Sequence, residues 1–446
     1  MIGGSPPRRA FFLLNAYNLF FWFSRELARP TISIALTDRI DSAALVGALL
    51  SVQSFLPLLL AIPLSSVGDR YGHDRVMHAG SWLTVISAVS FLAAGQDQLT
   101  ELTYIALLSI GQILSGISWM IVWVAIQALG SEGASGSGGA GARRAVGQLV
   151  LIMSAGSLLG PLVSGQLIER LDMRSVWIVY AALAVLQYAI SRVLLTYWNA
   201  RRRAERVSGD AAAAGRTPDA AEAAHAGSPG GKSLAPTAGM RKRLGRSWAD
   251  LGGAAYTIVL IGSFIMMFGA ELRASYLSVY LRDAGMQADE IGMIVMFGAL
   301  ASAIVRVLLN TKFSLRWSRR LLLIVSLSCT TVGVLSISWL PAGWLNSLTS
   351  ICLGLGGGIG EPILILFIVE SAALRRRGAA MAGRVLMNRL AMFVSPLSAG
   401  WFVHLMGSRG GFMTLGLALG ALGAVSVYKL NNLLKRGMLH DNDNVS

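Results

Sequence analysis

Long apolar stretches alternate with short polar gaps along most of the chain. A stretch of about 20 apolar residues is long enough to cross about 30 Å of hydrocarbon as a helix. The pattern predicts an all-α integral membrane protein with twelve spans, at residues 10–36, 43–66, 76–95, 101–127, 145–168, 175–197, 255–281, 289–310, 319–340, 344–371, 378–404 and 410–434. No small-residue cleavage site follows Arg8 and Arg9, so we expect the first span to be retained.

The basic residues of the short loops predict how the spans are oriented. Loops after even-numbered spans carry eleven Lys or Arg residues, whereas loops after odd-numbered spans, the central one apart, carry five. Because basic loops stay in the cytoplasm, we expect both termini there and the protein in the plasma membrane.

A basic segment rich in Ala, Gly, Ser and Pro separates two groups of six spans. This composition predicts a disordered cytoplasmic linker over residues 198–254. The linker divides the chain into an N-terminal six-helix bundle, residues 1–197, and a C-terminal six-helix bundle, residues 255–446. A solvated tether is the simpler interpretation of the linker, and a docking tail is the alternative.

The two groups of spans resemble one another in sequence. An offset of 245 aligns the first span with the seventh, and an offset of 235 aligns the fifth with the eleventh. The matching residues include Glu26 with Glu271, Asp38 with Asp283, Pro161 with Pro396 and Gly165 with Gly400. Transporters use repeated halves to build one site at the repeat interface and expose it alternately to each side.

Composition and charge exclude several other classes of protein. Only 14% of residues are charged, against about 25% in soluble proteins, which argues against a soluble enzyme. The net charge of +15 lies in the gaps between apolar runs, so nucleic acid is not an expected partner. Cys329 and Cys352 lie inside apolar runs and offer no disulfide or thiol metal site. We expect no metal and no cofactor, and the Gly231–Lys232–Ser233 run is not a P-loop because residue 226 is Ala226.

The loop between the second and third spans carries the sharpest motif. It reads GDRYGHDRV over Gly68–Val76. An acid beside arginines in a tight turn can bridge two helix ends. The run resembles the loop signature of the major facilitator superfamily, and the resemblance extends over the chain through its six-plus-six layout. It implies a cytoplasmic latch, formed by Asp69, Arg70 and Arg75 around Gly72, that favours the outward-facing state.

This chain departs from that family's pattern at two places. Ser65 stands where a glycine is usual upstream of the loop, and Leu315 stands where the second copy of the loop would have its acid. We therefore expect the second latch to be weakened or lost. A basic cytoplasmic loop with a turn glycine would also explain the arginines, but not the spacing from Asp69 to Gly72.

The fifth span contains small residues four positions apart and an interior proline. These residues are Gly156, Gly160, Pro161 and Gly165. Small residues allow two helix backbones to approach closely, and proline bends a helix. The spacing resembles the family's fifth-helix signature of proton-driven exporters, with Ser164 replacing a glycine, although simple packing would explain it equally well. Gln112 in the fourth span replaces an arginine that the family links to proton transfer.

Two acids lie inside the membrane at equivalent positions of the repeat. Charged residues in a span are costly and face a cavity or a partner. Glu26 and Glu271 sit about 24 Å from the cytoplasmic end of their spans, so they are candidates to hold a cationic substrate or to exchange a proton. The alternative is a structural ion pair with Arg29, or with Arg25 or Arg273.

Glu361 and Arg389 form a second intramembrane set. Both lie about 15 to 17 Å from the cytoplasmic ends of the tenth and eleventh spans, so we expect them to pair. The pair could be a static clamp or could break when the cavity fills, and Asn388 offers an amide for a ligand. Arg306, near the inner end of the eighth span, is expected to extend toward the membrane surface.

The sequence therefore predicts a secondary transporter and not an enzyme. We expect a monomer that exports small apolar or cationic molecules in exchange for protons, as an antiporter. The alternative is proton-coupled uptake of a polar nutrient or metabolite, which Gln112 favours. A signalling or lipid-handling membrane protein that has lost transport is the third class, with the basic linker as its docking tail.

Overall fold

The computed structural model describes residues 8–65, 67–96, 98–134, 138–214, 253–309, 317–371 and 377–435. Within these ranges the regular elements are all helices. They are α1 Arg8–Thr37, α2 Ala43–Ser65, α3 Val67–Tyr71, α4 His73–Ala94, α5 Glu101–Ala134, α6 Gly138–Arg170, α7 Met173–Ala214, α8 Gly253–Ala274, α9 Tyr276–Asp283, α10 Ala288–Leu309, α11 Arg319–Trp339, α12 Asn346–Ser371 and α13 Arg377–Lys435.

Ten helical stretches of the described residues are long and apolar enough to cross a membrane. The last of them, Ala380–Leu433, contains 54 residues, about 80 Å of helix, which is enough for two crossings. It is interrupted at Gly407, whose φ of 69° and ψ of 170° are accessible to glycine and strained for other residues. The predicted eleventh and twelfth spans correspond to the two parts of α13. The first helix, α1, is not among the ten stretches, and three charged residues fall within five of its positions.

The helix that precedes the predicted linker is longer than expected. Residues 198–214 were predicted to belong to the linker, but α7 continues through them to Ala214. This stretch is rich in Ala and Arg, which are strong helix formers, and a composition typical of disorder does not exclude a helix. The rest of the linker, residues 215–252, lies outside the described residues.

The N-terminal half (α1–α7) and the C-terminal half (α8–α13) pack against each other along two pairs of helices, α2 with α13 and α6 with α10. In the first pair, Gly47 faces Pro396 and Gly400. A Cβ atom at Gly47 would clash with the carbonyl oxygen of Pro396 and lie 2.8 Å from the Cα of Gly400. The two backbones are therefore in direct contact.

The second pair of helices repeats this arrangement. A Cβ atom at Gly292 of α10 would clash with the carbonyl oxygen of Pro161 and lie 3.3 Å from the Cα of Gly165 in α6. The offset of 245 that aligns the repeats carries residue 47 onto 292, and the offset of 235 carries Pro161 and Gly165 onto their partners in the first pair. The internal repeat thus extends to the contacts between the halves.

Both glycine contacts lie at the same end of the protein, where α2 and α10 begin; we call this the outer end. The loops at this end follow odd-numbered spans and are predicted to face away from the cytoplasm. Arg282 and Asp38, also at the outer end, form an ion pair of 2.6 Å between the halves. The described conformation is therefore closed at its outer end.

Candidate functional site

The centre of α1 carries three charged residues that face the interior. Glu26 and Arg29 are only 6% and 7% exposed. The Oε1 atom of Glu26 accepts a hydrogen bond from Nη1 of Arg25 at 2.8 Å and a longer one from Nη1 of Arg29 at 3.4 Å. Positions 26 and 29 share a helix face, which brings their side chains together. Glu26 is thus bound by arginines of its own helix.

Arg29 also joins the two halves of the molecule. Its Nη2 atom lies 2.6 Å from Oε1 of Glu271 on α8, and both side chains are almost fully buried. The guanidinium of Arg29 therefore binds both Glu26 and Glu271, the two acids that occupy equivalent positions of the repeat. The structure contains the ion pair that the sequence offered as the alternative to a free ligand-binding carboxylate.

The glycines of α6 hold this part of α1 close. A Cβ at Gly160 would lie 2.7 Å from the backbone of Glu26 and Leu27, and one at Gly156 would lie 2.9 Å from the backbone of Leu19 and Phe23. Gly165 faces the start of α10 instead. Of the predicted small residues, Gly160 therefore packs against Glu26 and Gly156 against the preceding turn of α1, while Pro161 and Gly165 contact the other half.

A tryptophan connects a second pair of arginines. The guanidinium carbon of Arg25 lies 4.2 Å from the centre of a Trp119 ring, and that of Arg389 lies 3.7 Å from it. Arg389 is 5% exposed, and its Nη1 lies 3.8 Å from the Sδ of Met392. Trp119 comes from α5 and Arg389 from α13, so this contact also joins the halves. Trp119 could not be identified as a site residue from the sequence, because a tryptophan in an apolar span shows no sign of what lies against it.

The prediction that Glu361 pairs with Arg389 is wrong. Glu361 instead forms ion pairs with Arg306 at 3.0 Å and with Arg384 at 3.7 Å. Arg389 is five residues beyond Arg384, which is about 140° around the helix, so the two arginines point in different directions. Arg306, expected to extend toward the membrane surface, is one of the partners of Glu361. Asn388 is partly buried next to Arg389.

A pocket opens beside Arg25 and Trp119 in the N-terminal half. Its walls combine aromatic rings with hydroxyl and amide groups. The other residues that line it are Phe21, Ser24, Ala28, Gln53, Thr84, Ser115, Ser118 and Tyr180. Gln112, one turn before Gly116 in the same helix as Trp119, is 1% exposed, and its Nε2 has no hydrogen-bond partner among the described residues. Such walls combine ring surfaces with a few polar groups, as ligand pockets do.

Between α2 and α4, the acid that forms an ion pair in the described part of the structure is Asp74, whereas the sequence predicted Asp69. Arg202 of α7 binds Asp74, with Nη1 to Oδ1 at 2.8 Å and Nη2 to Oδ2 at 2.5 Å. Gly72, with φ of 93°, makes the turn beside this pair, where a Cβ would lie 3.0 Å from Oδ1 of Asp74. The side chain of Asp69 lies outside the described part of the structure.

The two predicted latch arginines do not join this pair. Arg75 is exposed, and Arg70 is exposed with its guanidinium 5.3 Å from the ring centre of Tyr71. The described part of this loop therefore ties α4 to α7 within one half of the molecule.

Comparison with known proteins agrees with the class that these features define, a polytopic membrane transporter. The family model of the Major Facilitator Superfamily matches residues 14–396 and 259–432. The chain belongs to this superfamily and is a multi-pass membrane transporter.

Individual relatives are distant. The chain is 22% identical over 381 residues to the tetracycline resistance protein, class H, of Pasteurella multocida. The aligned region covers 83% of each chain. Among solved structures, the nucleoside transporter NupG superposes with a TM-score of 0.68 at 12% identity, over 94% of this chain and 98% of the other. A peptide transporter POT superposes with a TM-score of 0.66 at 14% identity, over 97% and 98%. These likenesses show the shared fold.

Proposed function

We propose that this chain is a twelve-helix secondary transporter that exports a small organic molecule in exchange for protons. We place it in the plasma membrane as a monomer with both termini in the cytoplasm. The observation that carries the proposal is the buried ion pair between Arg29 and Glu271, because it joins the two halves beside a pocket with polar walls. The tetracycline resistance protein among its relatives supports the outward direction.

The conformation supports loading from the cytoplasm. The halves meet backbone to backbone at the outer end, through the contacts of Gly47 and Gly292. With both termini in the cytoplasm, this arrangement closes the extracellular side. An exporter must bind its substrate in such a state and release it after the halves rock about the central site.

Protons would act through the two central carboxylates. A proton on Glu271 would remove the attraction that holds Arg29 across the interface, and a proton on Glu26 would release Arg25 in the pocket wall. Proton binding would thus compete with arginine binding for the same oxygen atoms. In this state neither acid is free to bind the cationic substrate that the sequence predicted.

The direct test compares metabolites inside and outside cells that lack or overproduce the protein, by untargeted mass spectrometry. We expect a compound that is depleted inside and enriched in the medium on overproduction. Purified protein in vesicles with an imposed pH gradient should then move that compound and protons in opposite directions. No change in any compound and no coupled flux would overturn the transport proposal and favour a signalling or lipid-handling role.

Proton-coupled uptake of a polar nutrient is the second candidate function. It is favoured by Gln112, which stands where the family's signature usually has an arginine linked to proton transfer. Gln112 is buried, and its side-chain nitrogen has no hydrogen-bond partner in the part of the chain that the structure describes. The same experiment separates the two functions, because uptake would enrich the compound inside the cells and move protons with it.

A further inference from the structure

The centre of the molecule contains more buried positive charge than negative charge. Among the described residues, four arginines interact electrostatically there with two carboxylates, Glu26 and Glu271. The arginines are Arg25, Arg29, Arg273 and Arg389. Arg29 is bound by both acids and Arg25 by Glu26. Arg273 donates to the carbonyl oxygen of Val295 at 2.9 Å. The cluster therefore carries an excess of two positive charges.

Arg389 lacks a carboxylate partner among the described residues. It lies on the ring of Trp119 and close enough to Arg25 for the two guanidiniums to repel each other. The Nε atoms of Arg25 and Arg389 are both buried and have no hydrogen-bond partner in the described part of the chain. Trp119 thus lies against two like charges, and one of them, Arg25, lines the pocket together with Trp119.

Such an arrangement is unfavourable without a ligand. Burying a charge away from water is costly unless it is paired, and intramembrane charges with no protein partner mark ligand pathways. A ring face attracts a cation in contact with it much less strongly than a counter-ion does, so the ring of Trp119 does not replace one. An anion that enters beside Trp119 would supply the missing pairing.

We propose that Arg25, Trp119 and Arg389 bind the anionic group of the substrate, so that the transported molecule is a small organic anion carrying a carboxylate or phosphate. Guanidinium groups bind such oxyanions through two parallel hydrogen bonds, and the ring of Trp119 fixes their orientation. Ser115 and Ser118 of the pocket lie on the same helix as Trp119, and their hydroxyl groups donate to the carbonyl oxygens of Gln112 and Gly80. This substrate class rests on the proposed transport function.

Binding to purified protein tests the proposal without any transport assay. The probes are benzoate, phenyl phosphate and benzylammonium, which share one ring and differ in charge, and the readout is the shift in thermal unfolding temperature at constant ionic strength. We expect stabilisation by the anions and none by benzylammonium. A larger shift with benzoate than with phenyl phosphate assigns the site to a carboxylate, and the reverse assigns it to a phosphate. Equal shifts with anions and benzylammonium would overturn the proposal.

Replacement of Arg389 separates a binding role from a structural one. Arg389→Met removes the repulsion with Arg25, so we expect unliganded protein that is at least as stable as the natural chain and binds the preferred anion at least about tenfold more weakly. Arg409→Gln, which removes an exposed charge at the outer end, is the control and should bind normally. An Arg389→Met protein that is destabilised but binds the anion as tightly as the natural chain would show a structural role and overturn the proposal.

The two proposals fail in different ways. Anion binding without any coupled flux in vesicles would refute the transport function and leave the anion site intact. Export of a cation or a neutral compound, with no binding of the anionic probes, would refute the anion site and leave the transport function intact.

Discussion

Arg29 and Glu271, from α1 and α8, lie 2.6 Å apart across the interface between the two halves, with both side chains almost entirely buried. Arg29 also contacts Glu26, the residue that the internal repeat relates to Glu271. A single guanidinium therefore lies between two carboxylates that the repeat makes equivalent. The symmetry of the acids is broken at this point, since residue 274, the repeat equivalent of Arg29, is Ala274.

Removing one partner of this ion pair should destabilise the protein. Glu271→Gln leaves Arg29 with a single, longer contact, and the loss of one partner of a buried pair costs about 3 kcal/mol. A double variant, Arg29→Met with Glu271→Met, should recover much of this stability because no charge remains unpaired. Thermal unfolding of the purified proteins measures both effects. The exposed pair of Asp38 and Arg282 is the matched control, and Asp38→Asn should cost less than about 1 kcal/mol. Equal losses at the two pairs would contradict this account.

A side chain at Gly47 should force the halves apart at the outer end. A leucine there cannot be accommodated against the carbonyl of Pro396, so the population should shift toward the state that is open on this side. Spin labels on Leu171→Cys and Gln287→Cys, in a background without native cysteines, should report a longer distance. Gly147→Leu is the control because, beyond its own turn of helix, no atom of the described residues lies within 4 Å of a Cβ at that position. An unchanged distance in the Gly47→Leu protein would rule out this contact as the outer closure.

Loss of the Asp74 carboxylate should free the inner part of α7. Asp74→Asn removes the charge that binds Arg202 through two hydrogen bonds. Because Asp74 is buried, we expect a loss of about 2 kcal/mol and faster hydrogen exchange in residues 198–204. Asp172→Asn, at an exposed acid that caps the start of α7, is the control and should leave that segment protected. Unchanged exchange in the Asp74 variant would mean that the pair does not hold the helix.

Glu361 and Arg389 should act independently of each other. Since Glu361 binds Arg306 and Arg384, the effects of Glu361→Gln and Arg389→Gln on the free energy of unfolding should add to within about 0.5 kcal/mol. The double variant of Glu361 and Arg384 should instead be more stable than the sum predicts. Rescue of Arg389→Gln by Glu361→Gln would show that these two residues pair after all.

Neutralising Glu26 should uncouple transport from protons. In the Glu26→Gln protein the side chain can no longer gain or lose a proton, while its amide oxygen can still accept a hydrogen bond from Arg25. We expect a folded protein whose export no longer responds to an imposed pH gradient. Wild-type pH dependence in vesicles would remove Glu26 from the coupling mechanism.

The sequence predicted an all-helical membrane protein because apolar length is a strong signal, but it could not predict which charges meet. Glu361 and Arg389 lie at matching depths, yet depth leaves the angle around each helix undetermined, and that angle directs Arg389 toward Trp119. The loop motif drew attention to Asp69, whereas Asp74 forms the described pair with Arg202. Arg202 lies on the part of α7 that was predicted to be linker because of its composition. Relations between distant helices are absent from a single sequence.

The contacts of Gly47 and Gly292 also set how much free energy is needed to separate the halves at the outer end. Backbone meets backbone there, and between helices in a membrane such packing takes the place of the hydrophobic effect, because lipid tails are as apolar as the side chains. A contact between a glycine Cα and a carbonyl oxygen contributes only about 0.5 to 1 kcal/mol. An interface of this kind can seal the protein against leakage and still separate and re-form in every cycle of transport.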